Sequence, residues 1–363
     1  MQGKQRATLI TLFLISLVIQ GYSCEKKSSE IAEESPFGIE IHDNVNFPVF
    51  TIHGEQDISN IEWIFPNEVK IRNKRTITYY FERKGIYDVT LNYSTKGKTF
   101  SHTKQIDITN NSSYFERGEK IWWQEEFEGE ALDIISTWQY DIGSNKETNL
   151  WGNNEWQEYT SSPKNSFLRD GKLVLKAIKT GAGQKVGDYT SARLTTKGKK
   201  EVNRGRIEVK AKLGGGVGLW PAIWLYQSSW SDGYYSELDI MEYVGVDKNI
   251  IYSAVHTNTT KKDSKNRVGG NKNLPGVEDE FHVYGVNWAD GKVEFYIDDS
   301  SRPHLVFVPE DKGNPDDWPF NKKLYLILNI AVGGDWGGMK GVNDAIFPQE
   351  MEVEYVRVFQ KEE

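Results

Sequence analysis

The 363-residue chain has a single cysteine, Cys24, so a disulfide within the chain is impossible. It also lacks an apolar run that could span a membrane comfortably, because the run at residues 7–19 is too short. Positive charge is scarce: 44 Lys and Arg stand against 52 Asp and Glu, and the formal net charge is −8. So acidic a chain repels nucleic acid and other polyanions, and a neutral polymer is the easier ligand.

The N-terminus has the features of a targeting segment. Lys4 and Arg6 precede the apolar run, which fits the hydrophobic region of a signal peptide. A lone cysteine just after small residues resembles a bacterial lipoprotein cleavage site. This resemblance implies that residues 1–23 are removed and that Cys24 carries a lipid. The alternative is an ordinary signal peptide followed by an incidental cysteine.

Loss of Lys4 and Arg6 with residues 1–23 would change the formal charge from −8 to −10, because two positive charges leave with the segment. The polar and charged residues 24–35 then predict a flexible tether between the lipid and the folded protein. We expect an exported bacterial lipoprotein that is attached to the outer membrane through Cys24, faces the cell surface and is a monomer.

Residues 36–108 have the pattern of a small β-rich unit. Apolar and polar residues alternate, as expected for half-buried strands, at residues 61–65, 76–81, 87–93 and 100–108. A turn signal at residues 95–98 predicts a hairpin, and about 75 residues of this kind suit a small sandwich. Residues 80–91 resemble the closing strands of PKD-type immunoglobulin-like modules, which implies a spacer. The Asn- and Ser-rich residues 109–118 are the predicted linker.

Residues 119–361 predict a second, larger domain. Short strand-like segments punctuated by Gly, Asn and Asp occur at residues 172–177, 191–196, 205–212, 237–243, 250–256, 282–288, 292–297, 324–332 and 351–359. So many short strands favour two stacked antiparallel sheets, a jelly-roll sandwich. The predicted fold class is therefore all-β, with a small sandwich followed by a large one.

Three carboxylates lie close together on an otherwise apolar run: Glu237, Asp239 and Glu242. Side chains of a regular strand alternate between two faces, so Glu237 and Asp239 share a face and Glu242 points away. A bulge at Ile240 or Met241 would bring all three to one side. Such close like charges raise one another's pKa, which favours one ionised and one protonated carboxyl, as a glycosidase requires. The alternative is a solvated edge strand that happens to carry three acids.

Blocks of sequence on both sides of these acids resemble glycoside hydrolase family 16, and most closely its laminarinase-like branch. In the family's order, they are residues 151–155, 189–194, 205–208, 218–225, 237–245, 331–336, 347–349 and 355–358. The resemblance implies a concanavalin-like jelly roll. It also implies a retaining endo-β-glucanase that hydrolyses neutral β-1,3-glucan of the laminarin type.

The same resemblance implies roles for the three acids. Glu237 would be the nucleophile that forms a glycosyl-enzyme. Glu242 would protonate the leaving oxygen and then activate water. Asp239 would tune Glu237 through a proton or a hydrogen bond. Two inversions give net retention, which requires two carboxyl groups about 5–5.5 Å apart and no cofactor.

Four further residues are expected to bind substrate. Trp220 and Trp224 lie four positions apart, so both face one side of a regular strand, where they either stack on sugar rings or pack in the core. The family match implies that Arg193 contacts sugar hydroxyls in the donor subsites, whereas a strand arginine generally forms a surface ion pair. The family match likewise implies that Asn153 binds sugar hydroxyls; the alternative is that it caps a loop.

Three more candidates lie further along the chain. The family resemblance implies that His256 lies near the acids and that Trp336 forms a wall of the cleft; a structural histidine and a loop anchor are the alternatives. Trp230 is a candidate for the donor side, but here the sequence departs from the family. Laminarinase-like sequences carry a Trp-Pro closer to the first catalytic glutamate, so Tyr234 or Tyr235 is an alternative stacking residue.

A structural calcium ion is a further expectation from the resemblance. Glu128, Gly171 and Glu354 fall at the positions that hold calcium in several members, and oxygen ligands suit that ion. A glutamate at 354, where aspartate is commoner, departs from the pattern.

Three rival functions remain open at this point. The first is cleavage of mixed-linkage β-1,3/1,4-glucan. The second is cleavage of a marine galactan of the agar or porphyran type by the same carboxyl groups. The third is a non-catalytic, glycan-binding surface lipoprotein, which would have no need to keep three mutually repelling acids.

Overall fold

The computed structural model describes residues 36–41, 46–54, 57–146, 150–262 and 267–361. The predicted signal peptide, the lipidation site at Cys24 and the tether at residues 24–35 lie outside these residues. Within the described ranges, no helix is both long and apolar enough to cross a membrane.

Two small antiparallel sheets form the N-terminal unit. Its strands are β1 Phe37–Glu40, β2 Val49–Ile52, β3 Ile58–Phe65, β4 Val69–Arg72, β5 Thr76–Thr78, β6 Gly85–Thr95 and β7 Lys98–Ile108, with a 3-10 helix at Pro66–Glu68. One sheet has the order β1-β2-β5 and the other β4-β3-β6-β7. The two sheets share an apolar core, because the buried Trp63 of β3 contacts Phe37 and Phe50 of the opposite sheet. Membership of the PKD class stays a prediction.

The second unit contains nineteen strands among the described residues. They are β8 Glu119–Glu125, β9 Gln139–Tyr140, β10 Gly143–Ser144, β11 Gln157–Tyr159, β12 Ser166–Arg169, β13 Lys172–Lys179, β14 Tyr189–Ser191, β15 Arg193–Thr195, β16 Glu201–Val202, β17 Gly205–Lys212, β18 Leu219–Gln227, β19 Glu237–Glu242, β20 Ile250–His256, β21 Val268–Asn273, β22 His282–Ala289, β23 Lys292–Ile297, β24 Leu305–Phe307, β25 Leu324–Val332 and β26 Gln349–Lys361. Two short helices, α1 Ser113–Glu116 and α2 Asn258–Lys262, and a 3-10 helix at Asp344–Ile346 complete the secondary structure described.

These strands form two sheets, which confirms the predicted β-sandwich. The first sheet has the order β10-β11-β14-β13-β26-β17-β22-β23-β24, with β12 and β8 paired at its side. The second, here called the cleft sheet, has the order β21-β20-β19-β18-β25-β15-β9, with β16 paired to β25. Their facing apolar side chains form the large core of the molecule. Several strands begin and end as the sequence predicted, namely β17, β20, β23 and β25.

Alternation along β18 shows how the cleft sheet divides its side chains. Leu219, Ile223 and Leu225 are fully buried in the core. The intervening Trp220 and Trp224 lie on the opposite face and line an open cleft. The period-2 pattern of the sequence therefore separates the core from the candidate site.

The predicted linker at residues 109–118 is packed structure rather than a loose spacer. Ser112 caps α1 by accepting a hydrogen bond from the amide of Tyr114. The Tyr114 ring stacks on Phe359 of β26 at a centroid distance of 3.8 Å, and its hydroxyl donates to Glu208 at 2.7 Å. The polar composition of the segment gave no sign of this anchor, because both partners are far away in sequence.

Candidate active site

A bulge in β19 brings the three predicted acids to one face. Met241 pairs with Ile223 of β18, whereas Asp239 pairs with the next residue, Trp224, so Ile240 has no partner in that register. The bulge predicted at Ile240 or Met241 is confirmed and lies at Ile240. It lets β19 bury two successive apolar residues in the core while its acids stay on the other side.

The resulting cleft has a volume of about 1080 Å³ and is lined by all three acids, Glu237, Asp239 and Glu242. Residues from β15, β18, β20, β21 and β25, from α2 and from the neighbouring loops form the rest of its floor and walls. An open cleft of this volume, with aromatic rings and a few convergent polar groups, suits a polysaccharide segment rather than a small metabolite.

Asp239 and His256 form the central pair of the cleft. The His256 Nε2 atom lies 2.9 Å from Asp239 Oδ2 and 3.8 Å from Glu237 Oε1. Burial lowers the pKa of His256, but the hydrogen bond and the charge of Asp239 outweigh it and raise that pKa overall. The pair therefore favours an imidazolium, which partly offsets the negative charge of the acids.

Glu237 lies beside this pair and has a second partner. Tyr235 donates a hydrogen bond from its hydroxyl to Glu237 Oε2 at 2.6 Å. Burial, followed by the charge of Asp239, raises the pKa of Glu237 to about 7, while His256 and the Tyr235 hydrogen bond act in the opposite direction.

Glu242 is the most strongly perturbed of the acids. Burial and then the charges of Asp239 and Glu237 raise the pKa of Glu242 well above its ordinary value. The indole N–H of Trp220 donates to Glu242 Oε1 at 3.2 Å, a contact that acts in the opposite direction. Mutual repulsion between these carboxyls favours a state with one ionised and one protonated group at the same time.

Arg193 lies on the floor of the cleft between two indole rings. Its guanidinium carbon is 5.1 Å from the centre of Trp151 and 4.8 Å from that of Trp224. Its Nε atom pairs with Asp141 at 3.3 Å. The indole N–H of Trp224 donates to the side-chain amide oxygen of Asn329 at 2.7 Å, which fixes the position of the ring. The ring lines the cleft and is not part of the core.

Asn153 and Trp336 approach each other at one rim of the cleft. The backbone carbonyl of Asn153 accepts a hydrogen bond from the amide of Asp335 at 2.7 Å. The Trp336 ring contacts Trp220 at 5.3 Å and Tyr252 at 5.0 Å between centroids. Both predicted residues therefore line the cleft, together with His256, Arg193, Trp220 and Trp224.

Trp230 is placed differently from the other candidates. It is 56% exposed and lies outside the residues that line the cleft. Its ring contacts Tyr226 and Tyr235, which do line the cleft, at 6.4 and 5.5 Å. Tyr235 points its hydroxyl at an acid instead of offering a stacking surface, and Tyr234 also lies outside the lining.

Two of the three residues expected to hold calcium, Glu128 and Glu354, have other partners, and Gly171 lies in the turn between β12 and β13. Glu128 accepts a hydrogen bond from the hydroxyl of Thr78 at 2.5 Å, and burial raises its pKa to about 7. The Glu354 carboxylate pairs with the ammonium group of Lys210 at 3.0 Å. A cation at Glu354 would have to displace that ammonium group, and the calcium site stays a prediction.

Among the described residues, one group has the spacing of a metal site: Glu237, Asp239 and His256, whose potential ligand atoms lie within 4.8 Å of one another. A metal ligand must be a neutral imidazole, whereas Asp239 favours the protonated form of His256. The group is therefore better suited to holding protons than to holding a metal ion.

Asn329 is a cleft residue that the sequence reasoning missed. It accepts from Trp224 and donates to the hydroxyl of Tyr159 at 2.9 Å. The signal was present, since Asn329 is the one amide in the apolar, fully buried strand β25. A buried amide in such a strand requires hydrogen-bond partners, which points to a polar site.

A two-sheet β-sandwich with carboxyl groups gathered in an open cleft has the parts that a glycoside hydrolase requires. The family model for glycosyl hydrolases family 16 matches residues 153–357. The chain therefore belongs to that family, which confirms the prediction from the sequence.

Known relatives each cover about two thirds of the chain. The β-glucanase of Rhodothermus marinus is 36% identical over 247 residues, which span 65% of this chain and 84% of that protein. The structure of the laminarinase from Rhodothermus marinus matches with a TM-score of 0.61 and 35% identity, covering 68% of this chain and 98% of that one. A substituted form of SCLam, a non-specific endo-β-1,3(4)-glucanase co-crystallised with 1,3-β-D-cellotriosyl-glucose, matches with a TM-score of 0.62 and 36% identity, covering 67% of this chain and 95% of that one.

Proposed function

We propose that the protein is a retaining endo-β-glucanase that hydrolyses β-1,3-glucan of the laminarin type. The observation that carries this proposal is the shared cleft of Glu237, Asp239 and Glu242, in which burial and mutual repulsion raise the pKa of both glutamates. The names of the relatives, which are β-glucanases and laminarinases, support the choice of substrate.

The reaction follows from the two protonation states. Glu237 attacks the anomeric carbon as a carboxylate, while Glu242 gives its proton to the glycosidic oxygen, so one C–O bond forms as another breaks. Glu242, now a carboxylate, takes a proton from water, and the resulting hydroxide attacks the glycosyl ester. Glu237 leaves as a carboxylate, and two inversions at the same carbon retain its configuration.

The substrate's other sugars would lie over the aromatic floor. Trp224 and Arg193 offer a flat apolar ring and a guanidinium to the donor side. Trp336 and Tyr252 would form the opposite wall. The chemistry uses carboxyl groups alone and requires no cofactor.

Product chromatography after incubation of the purified chain with laminarin tests the proposal. We expect a ladder of short oligosaccharides, as an endo-acting enzyme produces. Proton NMR of the first minutes of the reaction should show the β-anomer of the new reducing end before mutarotation. An initial α-anomer would contradict the double displacement, and the absence of any product would contradict the activity.

A mixed-linkage β-1,3/1,4-glucanase is the second candidate. The similarity to SCLam, which is non-specific for β-1,3(4)-glucan, favours it. The same assay on barley mixed-linkage glucan distinguishes the two. Cleavage of the barley polymer alone would transfer the assignment to the mixed-linkage enzyme, and cleavage of both would give a non-specific one.

We also propose, from the N-terminal sequence, that a lipid on Cys24 holds the enzyme at the cell surface. Protease treatment of intact cells should then remove the protein. The Cys24→Ser variant should leave the membrane fraction. Wild-type protein that resists protease on intact cells would contradict the outward-facing location.

A further inference from the structure

The two carboxylate oxygens of Glu237 have different surroundings. Oε2 accepts the hydroxyl hydrogen bond of Tyr235 at 2.6 Å, within the range of a charge-assisted O–H···O⁻ bond, roughly 2.5–2.7 Å. Oε1 lies 3.8 Å from His256 Nε2, beyond hydrogen-bond distance, because that nitrogen binds Asp239 at 2.9 Å instead. The carboxylate therefore has one engaged oxygen and one available oxygen.

Several contacts hold Tyr235 in this position. Its backbone amide donates to Asn258 Oδ1 at 3.2 Å, and the ammonium group of Lys261 lies 3.6 Å from the centre of its ring. The next amide, that of Ser236, donates to Gln227 at 2.6 Å. Burial and the charge of Glu237 raise the pKa of Tyr235, so its phenol stays a proton donor at neutral pH.

Hydrogen bonds from Lys322 also hold the loop before β19 at Asp232 and Tyr234. Lys322 donates to the carboxylate of Asp232 at 2.9 Å and to the carbonyl of Tyr234 at 2.9 Å. This is the stretch in which the sequence departs from the laminarinase-like pattern. The phenol therefore belongs to a fixed element of this chain rather than to a mobile surface loop.

We propose that Tyr235 is a positioning residue for the nucleophile: its hydroxyl holds Glu237 Oε2, so that Oε1 forms the bond to the anomeric carbon. The inference rests on the double displacement proposed above. In the glycosyl ester, Oε1 carries the sugar and Oε2 becomes the carbonyl oxygen. When water attacks, the C–O bond to Oε1 breaks, its electron pair returns to the carboxylate, and Tyr235 stabilises the charge that develops on Oε2.

The matched variants Tyr235→Phe and Tyr234→Phe in the full chain test this role. Each loses one hydroxyl from the same loop, but only Tyr235 touches Glu237. With laminarin, we expect Tyr235→Phe to lower kcat about 10- to 100-fold with little change in KM, the size expected for a hydrogen bond to a charged group. Loss of the donor should raise the pKa of Glu237, so the acid limb of kcat/KM should move to higher pH. Tyr234→Phe should match the wild type in all three quantities.

A purely structural role would give a different result. It would lower the melting temperature or raise KM and leave the acid limb in place, and that outcome would overturn the proposal. Wild-type kcat and an unmoved acid limb in Tyr235→Phe would do the same.

A titration that needs no turnover separates this inference from the proposed activity. The carboxyl carbon of Glu237 can be followed by ¹³C NMR in protein labelled on glutamate, with Glu237→Gln identifying the signal. We expect its midpoint to move to higher pH in Tyr235→Phe and not in Tyr234→Phe. If the wild type cleaved no glucan, the proposed function would fail while this titration still decided the contact. An unmoved midpoint would overturn the role of Tyr235 even in an active enzyme.

Discussion

The sandwich contains two clusters of buried acids that differ in how their negative charge is compensated. In the cleft cluster, the imidazole of His256 lies 2.9 Å from Asp239 and 3.8 Å from Glu237, while Glu242 accepts a hydrogen bond from the neutral indole of Trp220. On the other sheet, at the junction with the N-terminal unit, Glu126 receives two hydrogen bonds from Arg357 at 2.7 and 2.9 Å. The second arrangement pairs its charge, whereas the first leaves like charges facing each other.

Glu208 extends the junction cluster in the same manner. Its two oxygens accept hydrogen bonds from Tyr296 and Tyr114, each at 2.7 Å, and Arg206 lies 4.0 Å away. Burial therefore does not by itself mark a reactive acid. A raised pKa does not mark one either, since burial also raises the pKa of Glu128 outside the cleft. What distinguishes the cleft is that three acids lie together in an open groove, where mutual repulsion favours keeping a proton available for transfer.

The largest effect that would sharpen this comparison is on activity. Glu237→Gln keeps the shape of the side chain but removes the charge that attacks the sugar in the proposed mechanism. We expect kcat to fall by about 10⁴-fold or more, with laminarin binding retained. Isothermal titration with laminarin oligosaccharides and product chromatography measure the two quantities. Activity within about 10-fold of wild type would place the nucleophile elsewhere.

The junction cluster should respond in stability instead. Arg357→Met leaves the buried carboxylate of Glu126 without its cation, so we expect the free energy of unfolding to fall by about 3–5 kcal/mol. Urea denaturation measures this loss, and kcat in the folded protein should stay unchanged. Arg169→Met is the control, because Arg169 forms a half-exposed pair with Glu350 and such pairs contribute about 1 kcal/mol or less. Equal losses in both variants would contradict the contrast between buried and surface pairs.

Removing an acid from the cleft should raise the free energy of unfolding at high pH instead of lowering it. The pKa of Glu242 is raised on folding, so the folded state holds a proton that the unfolded state releases above about pH 4.3. Stability therefore falls as the pH rises from there towards the folded pKa, by about 1.4 kcal/mol for each pKa unit. Glu242→Gln abolishes this loss and should melt at a higher temperature than wild type at pH 8, but not at pH 4.

Calorimetry across this pH range measures the difference between the two proteins. Glu126→Gln provides the matched control, since it removes a paired acid and should be destabilising at pH 8. A Glu242→Gln protein that is less stable than wild type at pH 8 would show that the cleft acids are compensated by contacts other than those described.

The cleft was easier to predict from the sequence than the junction, for a physical reason. Local rules were enough for the acids, because period 2 and one bulge decide which side of β19 they occupy. The partners of Glu128 and Glu354 lie 50 and 144 residues away in sequence, so no local pattern indicates them. The anchoring of Tyr114 on Glu208, 94 residues away, escaped notice for the same reason.

Two predictions within the site, for Trp230 and Tyr235, differ from the structure because they also depend on contacts that are distant in sequence. Trp230 was a candidate for the donor side by resemblance, although it lies further from Glu237 in sequence than the tryptophan of the family pattern, and it lies beyond the cleft lining. Tyr235 was considered as a stacking surface, and its hydrogen bond to Glu237 depends on how Lys322, Asn258 and Gln227 fix that loop. Alternation predicts which face a side chain occupies but not the atom it reaches.

The smallest effect concerns the second acid. Trp220→Phe keeps a ring on the cleft wall but removes the N–H that donates to Glu242 at 3.2 Å. That hydrogen bond lowers the pKa of Glu242, so its loss should move the basic limb of kcat/KM to higher pH, by about one unit or less for a bond of ordinary strength. Trp224→Phe removes an indole N–H of the same sheet that donates to Asn329 rather than to an acid. It should raise KM without moving either limb. Equal shifts in both variants would mean that the indole rings affect Glu242 through burial alone, and the cleft acids would then be tuned by desolvation rather than by named donors.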